Sequence, residues 1–156
     1  LATRDIFNAI YDHLLTAPTQ YVTSYVENNE KYAQIQLDLR TSTNLERLAI
    51  ELYGSAAEKH KLKDPKSNVD VSFAETLMAN EMYTLLENVF LSLNLERNYL
   101  HPVHAGWMKV FDHWTNSPIL KTAWGDPHKP DDGIQGEYSP AFRRFIELRR
   151  KPGGNA

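Results

Sequence analysis

SFAETLMANEMYTLLENVFLSLNLER, residues 72–97, contains neither proline nor glycine. At 3.6 residues per turn it is long enough for roughly seven turns of α-helix. Ser72 and Glu75 stand at capping-box spacing, so each can satisfy a backbone N–H left over at the helix start. Met78, Met82, Leu85, Leu86, Val89 and Leu93 share one side, as in an amphipathic helix. On the other side Asn80, Glu81, Thr84, Glu87 and Asn88 lie within about 120° of one another. Phe73, Leu77, Leu91 and Leu95 are in line with that polar patch, above and below it. Two readings stay open. Either the patch is solvated and only the helix ends are covered, or the helix is central and surrounded. In the second case Glu81 and Glu87 need partners, because a buried unpaired carboxylate is too costly to keep charged. Arg47, Arg97 or a histidine could supply them, or the patch could line a small polar pocket.

Helical spacing recurs on both sides of this segment. Ile6, Phe7, Ile10, Tyr11, Leu14 and Leu15 predict a helix that Thr3 can cap. A second, short helix opens at Pro18 and Thr19 with Tyr21, Val22, Tyr25 and Val26 as its stripe, and NNEK at 28–31 reads as a loop. AQIQLDLR, residues 33–40, alternates like a strand, yet Tyr32, Ile35 and Leu39 also fit one helical face. No second strand of comparable clarity exists to pair with it, so helix is the reading. Thr43 and Glu46 again have capping-box spacing, and Leu45, Leu48, Ala49, Leu52 and Tyr53 line one face before Gly54, which marks an end or a packing site. KHKLKDPKSN, residues 59–68, is a basic surface loop. Ser117 caps a helix that begins at Pro118 and stops at Gly125, and Ser139 caps another that begins at Pro140. A long Gly- and Pro-rich loop separates these two. The fold class is therefore all-α: an irregular bundle of five to seven helices around the long one. It forms a single domain over residues 1–151, with a disordered tail at 152–156.

Composition sets the outer limits on function. The chain has 156 residues, 42% hydrophobic and 24% charged, as befits one globular domain. A formal net charge of −3 gives no global attraction to nucleic acid. The absence of cysteine removes disulfides, iron–sulfur clusters and thiol nucleophiles. No apolar run of about 18 residues occurs, as a membrane-spanning helix would require.

HPVHAGWMKVFDHW, residues 101–114, is the stretch richest in metal-ligand residue types. On a helix starting at Pro102, the side chains Val103, Trp107, Val110, Phe111 and Trp114 fall within about 100°, the width of a core-facing stripe. His104 and His113 sit on opposite borders. Asp112 and His101 share an angle but lie about 16 Å apart along the axis. Only His101 and His104 could meet, and a stable zinc site needs three or four ligands. The stretch therefore reads as a core helix with border histidines. No nucleotide-binding, hydrolase or zinc-protease motif is present, and the aspartates between Asp126 and Asp132 lack EF-hand spacing. The last helix carries Arg143, Arg144, Arg149, Arg150 and Lys151 beside Phe142, Phe145, Ile146 and Leu148. It could dock on an anionic surface or a partner. The competing reading has it packing by its aromatics, with the terminal cations suiting the helix dipole.

ANEMYTLLENVF, GWMKVFDHW, SPILKTAW and the close Tyr138, Pro140, Phe142 and Phe145 together resemble, over about residues 75–148, a group of uncharacterised bacterial proteins. In these a single N-terminal membrane helix precedes a small all-helical soluble domain. The resemblance implies a membrane anchor upstream of Leu1, with this domain in the cytoplasm or periplasm. It brings no activity and no functional residue. The function expected is a non-enzymatic interaction or sensory domain. The alternatives are a metal-dependent helical-bundle enzyme, using histidines from 101–113 with carboxylates of the long helix, and a small-molecule-binding bundle with a pocket beside Glu81, Asn88, His104 and Trp107. No catalytic residue, metal ligand or cofactor is assigned. The partner expected is a protein or a small molecule, not nucleic acid.

Overall fold

The computed structural model describes residues 19–62 and 70–150. The helix expected from Thr3, most of the basic loop after residue 62 and the tail from 152 lie outside the described residues. Among those residues the structure has eight α-helices and no strand. They are α1 (Thr19–Thr41), α2 (Glu46–Tyr53), α3 (Ala56–Leu62), α4 (Phe73–Ser92), α5 (Leu95–Asn98), α6 (Ala105–Thr115), α7 (Pro118–Trp124) and α8 (Pro140–Arg149). Single 3-10 turns cover Thr43–Leu45, Pro102–His104 and Gln135–Glu137. The all-α class is as expected. The helices exceed the expected five to seven because Gly54 and Asn94 each split off a short piece.

Helix α4 starts as the capping box predicts. Ser72 Oγ accepts from the Glu75 N–H at 3.1 Å, and the Ser72 N–H donates to Glu75 Oε1 at 2.9 Å. Glu75 itself is buried, and Arg47 Nε donates to its Oε2 at 3.0 Å. Arg47 is thus committed here rather than to Glu81 or Glu87. The other expected capping box is not formed. Thr43 lies in a 3-10 turn, and no side chain caps α2. Ser55 and Glu58 instead exchange bonds of 3.0 and 3.1 Å at the start of α3.

Residues 19–41 form one helix, where a short helix, a loop at 28–31 and a further helix were expected. Tertiary contact outweighs local polarity here. Asn28 is buried and its Nδ2 donates to Ser92 Oγ at 3.2 Å, near the end of α4. Asn28 in α1 meets the end of α4, whereas Arg47 in α2, further along the chain, reaches Glu75 at its start, so α1 runs antiparallel to α4. The strand-like alternation of 33–40 resolves as helix: Ile35 and Leu39 are buried, while Leu37 is exposed. At 59–62 the expected loop is instead the last turn of α3.

Helix α4 ends at Ser92, five residues short of the expected end. Asn94 adopts φ 50°, ψ 50°, a left-handed conformation that interrupts the helix before α5. The buried apolar side chains of α1, α2, α4, α6, α7 and α8 join in one cluster. Its centre is aromatic, with Tyr83 lying 4.5 Å, ring to ring, from Trp124. The Tyr83 hydroxyl donates to the Leu120 carbonyl at 2.9 Å.

The polar patch of α4 follows neither expected reading in full. Glu81, Thr84 and Asn88 are exposed, but Thr84 joins the half-buried Asn80 and Glu87 in meeting the lead-in to α8. The Tyr138 hydroxyl lies 2.8 Å from Asn80 Oδ1 and 3.2 Å from Thr84 Oγ1, and the Ser139 N–H donates to Glu87 Oε2 at 3.0 Å. Three polar side chains thereby seat a segment more than fifty residues away in sequence. Of the apolar residues flanking the patch, Phe73, Leu77 and Leu91 are exposed and Leu95 is buried.

Candidate functional site

The side chains of HPVHAGWMKVFDHW build a wall, as their angles predict. Phe111 and Trp114 are fully buried, and Val103, Trp107 and Val110 are half-buried. Tyr32 stacks on Trp114 at 5.6 Å and meets Trp107 edge-on at 5.7 Å. The one polar atom of Trp114 is satisfied, with Nε1 donating to the Tyr53 hydroxyl at 3.0 Å. His101 and His104 do meet, their rings 5.8 Å apart. His101 Nδ1 accepts from the Val103 N–H at 3.2 Å, capping the 3-10 turn, and His104 is buried. Among the described residues no three His, Cys, Asp or Glu side chains gather as metal ligands.

Glu81, Asn88, His104 and Trp107, the residues singled out for ligand binding, occupy separate settings. Glu81 pairs with Lys31 at 3.7 Å on the surface. Asn88 is exposed two turns further along α4. Trp107 packs against Tyr32, and His104 lies within the turn before α6.

A more convergent set of polar groups lies elsewhere among the described residues. A groove of about 670 Å³ opens where α2, α6, α7 and α8 meet. Such a volume suits a small ligand. Helix α6 supplies Lys109, Asp112 and His113, and Asn116 caps its end; they share a face because they are three, four and seven residues apart. Helix α2 supplies Glu51, Ser117 opens α7, and α8 contributes Leu148, Arg149 and Arg150 from its end.

Several of these groups hold the scaffold. Glu51 Oε1 accepts from Ser117 Oγ and, at 2.9 Å, from the Ile119 N–H, so a carboxylate satisfies the start of α7. His113 Nε2 lies 2.7 Å from the Leu52 carbonyl at the end of α2. Asn116 Nδ2 donates to the Asp112 carbonyl at 2.6 Å.

The two arginines are different. Arg149 Nε lies 3.0 Å from Asp112 Oδ1, yet it has no hydrogen-bond acceptor in line. Its guanidinium also sits 5.5 Å from the centre of the Tyr99 ring, within cation–π range. Arg150 is only 12% exposed and faces Glu147 Oε1 at 3.5 Å. Its Nε and Nη2 are closed off from solvent with no acceptor in hydrogen-bond geometry, although the guanidinium is close enough to the Tyr83 hydroxyl to interact with it. Burial raises the pKa of the Tyr83 hydroxyl, and the nearby Arg150 cation works against that rise.

This groove was not found from the sequence. The sequence placed His113 on a border of the apolar stripe and related Asp112 only to His101. Arg149 and Arg150 read as dipole-matching cations. That α2, α7 and the end of α8 close around them depends on contacts between segments far apart in sequence. Comparison of the chain with family models, curated proteins and solved structures gives no match.

Proposed function

We propose that this chain is a non-enzymatic ligand-binding domain of interaction or sensory type, and that its groove takes an anionic small molecule. Three cations on one groove, Lys109, Arg149 and Arg150, carry this reading. They outnumber the two carboxylates that line it, Glu51 and Asp112, which are already engaged with Ser117 and Arg149. A guanidinium's planar fork of donors matches a carboxylate or phosphate. The groups that could serve as nucleophile and base are engaged in the scaffold: Ser117 Oγ faces Glu51, and His113 faces the Leu52 carbonyl. This supports binding over catalysis. The resemblance to bacterial domains that follow a membrane helix supports placing this one in a membrane-anchored protein. The charges flanking such a helix in the full-length gene product would test that placement.

Thermal unfolding with inorganic phosphate, acetate or citrate at low ionic strength tests the binding reading. At a hundredfold excess over Kd, a ligand specific for the native state stabilises by about 2.7 kcal/mol. The expected result is a concentration-dependent rise in Tm for at least one anion, lost in Lys109→Ala. Lys109 is exposed, so that variant keeps the fold. An absence of response at millimolar anion, or a response unchanged by Lys109→Ala, would overturn the reading.

A further inference from the structure

We infer that a second groove, between α8 and the loop before it, docks an acidic segment of a partner protein around an apolar anchor. This groove shares Leu148 with the anion groove but none of the cations that carry that site. The groove encloses about 490 Å³, and Pro127, Pro130, Pro140 and Leu148 form its apolar surface, with Arg143 and Arg144 beside them. Helix α8 packs on the core through Phe142, Phe145 and Ile146, all buried, whereas Leu148 is 79% exposed. A large exposed apolar side chain in a concave surface suits an anchoring contact. The arginines supply the charge argument. Neither forms an ion pair with another described residue. The acidic neighbour in the groove, Glu147, is engaged with Trp124 Nε1 at 3.2 Å and faces Arg150. An otherwise acidic chain, with a formal net charge of −3, thus offers a local cationic rim around an apolar slot.

The loop wall is built to hold its shape. Gln135 is buried, and its Nε2 lies 2.8, 3.1 and 3.0 Å from the carbonyls of Asp126, Lys129 and Asp132. Gly133 has φ 64°, and a Cβ there would lie 2.4 Å from the Trp124 carbonyl. The prolines fix φ and leave no N–H to satisfy. A rigid wall loses little entropy on binding. Its concavity favours a peptide segment over a flat anionic bilayer.

Selection of displayed peptides against the whole chain, followed by fluorescence anisotropy with the enriched peptide, tests this. The expected consensus has Leu or Phe next to Asp or Glu. Its affinity falls about tenfold or more in Arg143→Glu/Arg144→Glu. Leu148→Ala also weakens binding. Added salt weakens binding of the native chain. Circular dichroism confirms that both variants remain folded. No consensus, a consensus without acidic residues, or an affinity indifferent to the arginine changes would overturn the inference. So would binding to phosphatidylserine vesicles that the selected peptides do not displace.

Discussion

Glu75 meets two demands with one carboxylate, closing the first turn of α4 and pairing with Arg47. Burial alone would raise its pKa, but the bonds from Arg47 and the Ser72 N–H outweigh burial and hold it below the usual 4.5. A carboxyl lowered on folding adds stability above its ordinary pKa, and that stability is lost as pH falls through the folded value. Glu75→Gln should therefore cost about 2 kcal/mol at neutral pH, a buried-pair figure reduced because Arg47 remains partly in water. The gap between native and variant should narrow as pH drops well below 4.5, where both side chains are neutral. Urea unfolding across that range checks it, and a gap independent of pH would contradict the assignment. The Ser72–Glu75 half was legible because its partners are three residues apart. The Arg47 half was not, because a separation of 28 positions carries no periodic signal. The sequence offered Arg47 equally to Glu81 and Glu87.

Helix ends were the least legible features, and Asn94 shows why. Leu91 and Leu95 are one turn apart and would share a face on a continuous helix, yet Leu91 is 62% exposed and Leu95 is fully buried. The left-handed turn at Asn94 resets the phase, so Leu95 enters the core while Leu91 stays outside. Nothing in the 72–97 pattern forbids a straight helix, and the saving comes only from tertiary burial. Asn94→Ala should then cost about 1 kcal/mol, since asparagine tolerates the left-handed conformation better than alanine does. It should not add ellipticity at 222 nm. Asn94→Gly should be neutral or stabilising. A gain of helical signal in the alanine variant would mean that the helix prefers to run through. The opposite error occurred at 28–31, where polar residues suggested a break. Contact with Ser92 keeps α1 whole there, through a bond spanning 64 positions.

At the scale of the molecule, apolar periodicity identified the class and most core positions, because burial repeats with the helical turn. It gave no account of how the helices are fastened together, which depends on a few polar bonds across long sequence distances. Tyr138 is the main one for α8. Its ring is buried against Tyr83 and Trp124, and its hydroxyl reaches two residues of α4. Burial pushes its pKa up to about 12, so the hydroxyl stays protonated and able to donate at neutral pH. Tyr138→Phe keeps the ring but leaves the polar patch at Asn80 and Thr84 without its partner, an expected cost of about 1–2 kcal/mol. The tryptophans report from different places, Trp107 and Trp114 on α6 and Trp124 on α7, but one apolar cluster joins their surroundings. Unfolding followed by tryptophan fluorescence and by far-ultraviolet ellipticity should therefore coincide in the native chain. Tyr138→Phe should lower both midpoints equally, because weakening α8 weakens the shared core. If fluorescence moved while ellipticity held, α8 would be a separately melting element and the chain would not unfold as a single unit.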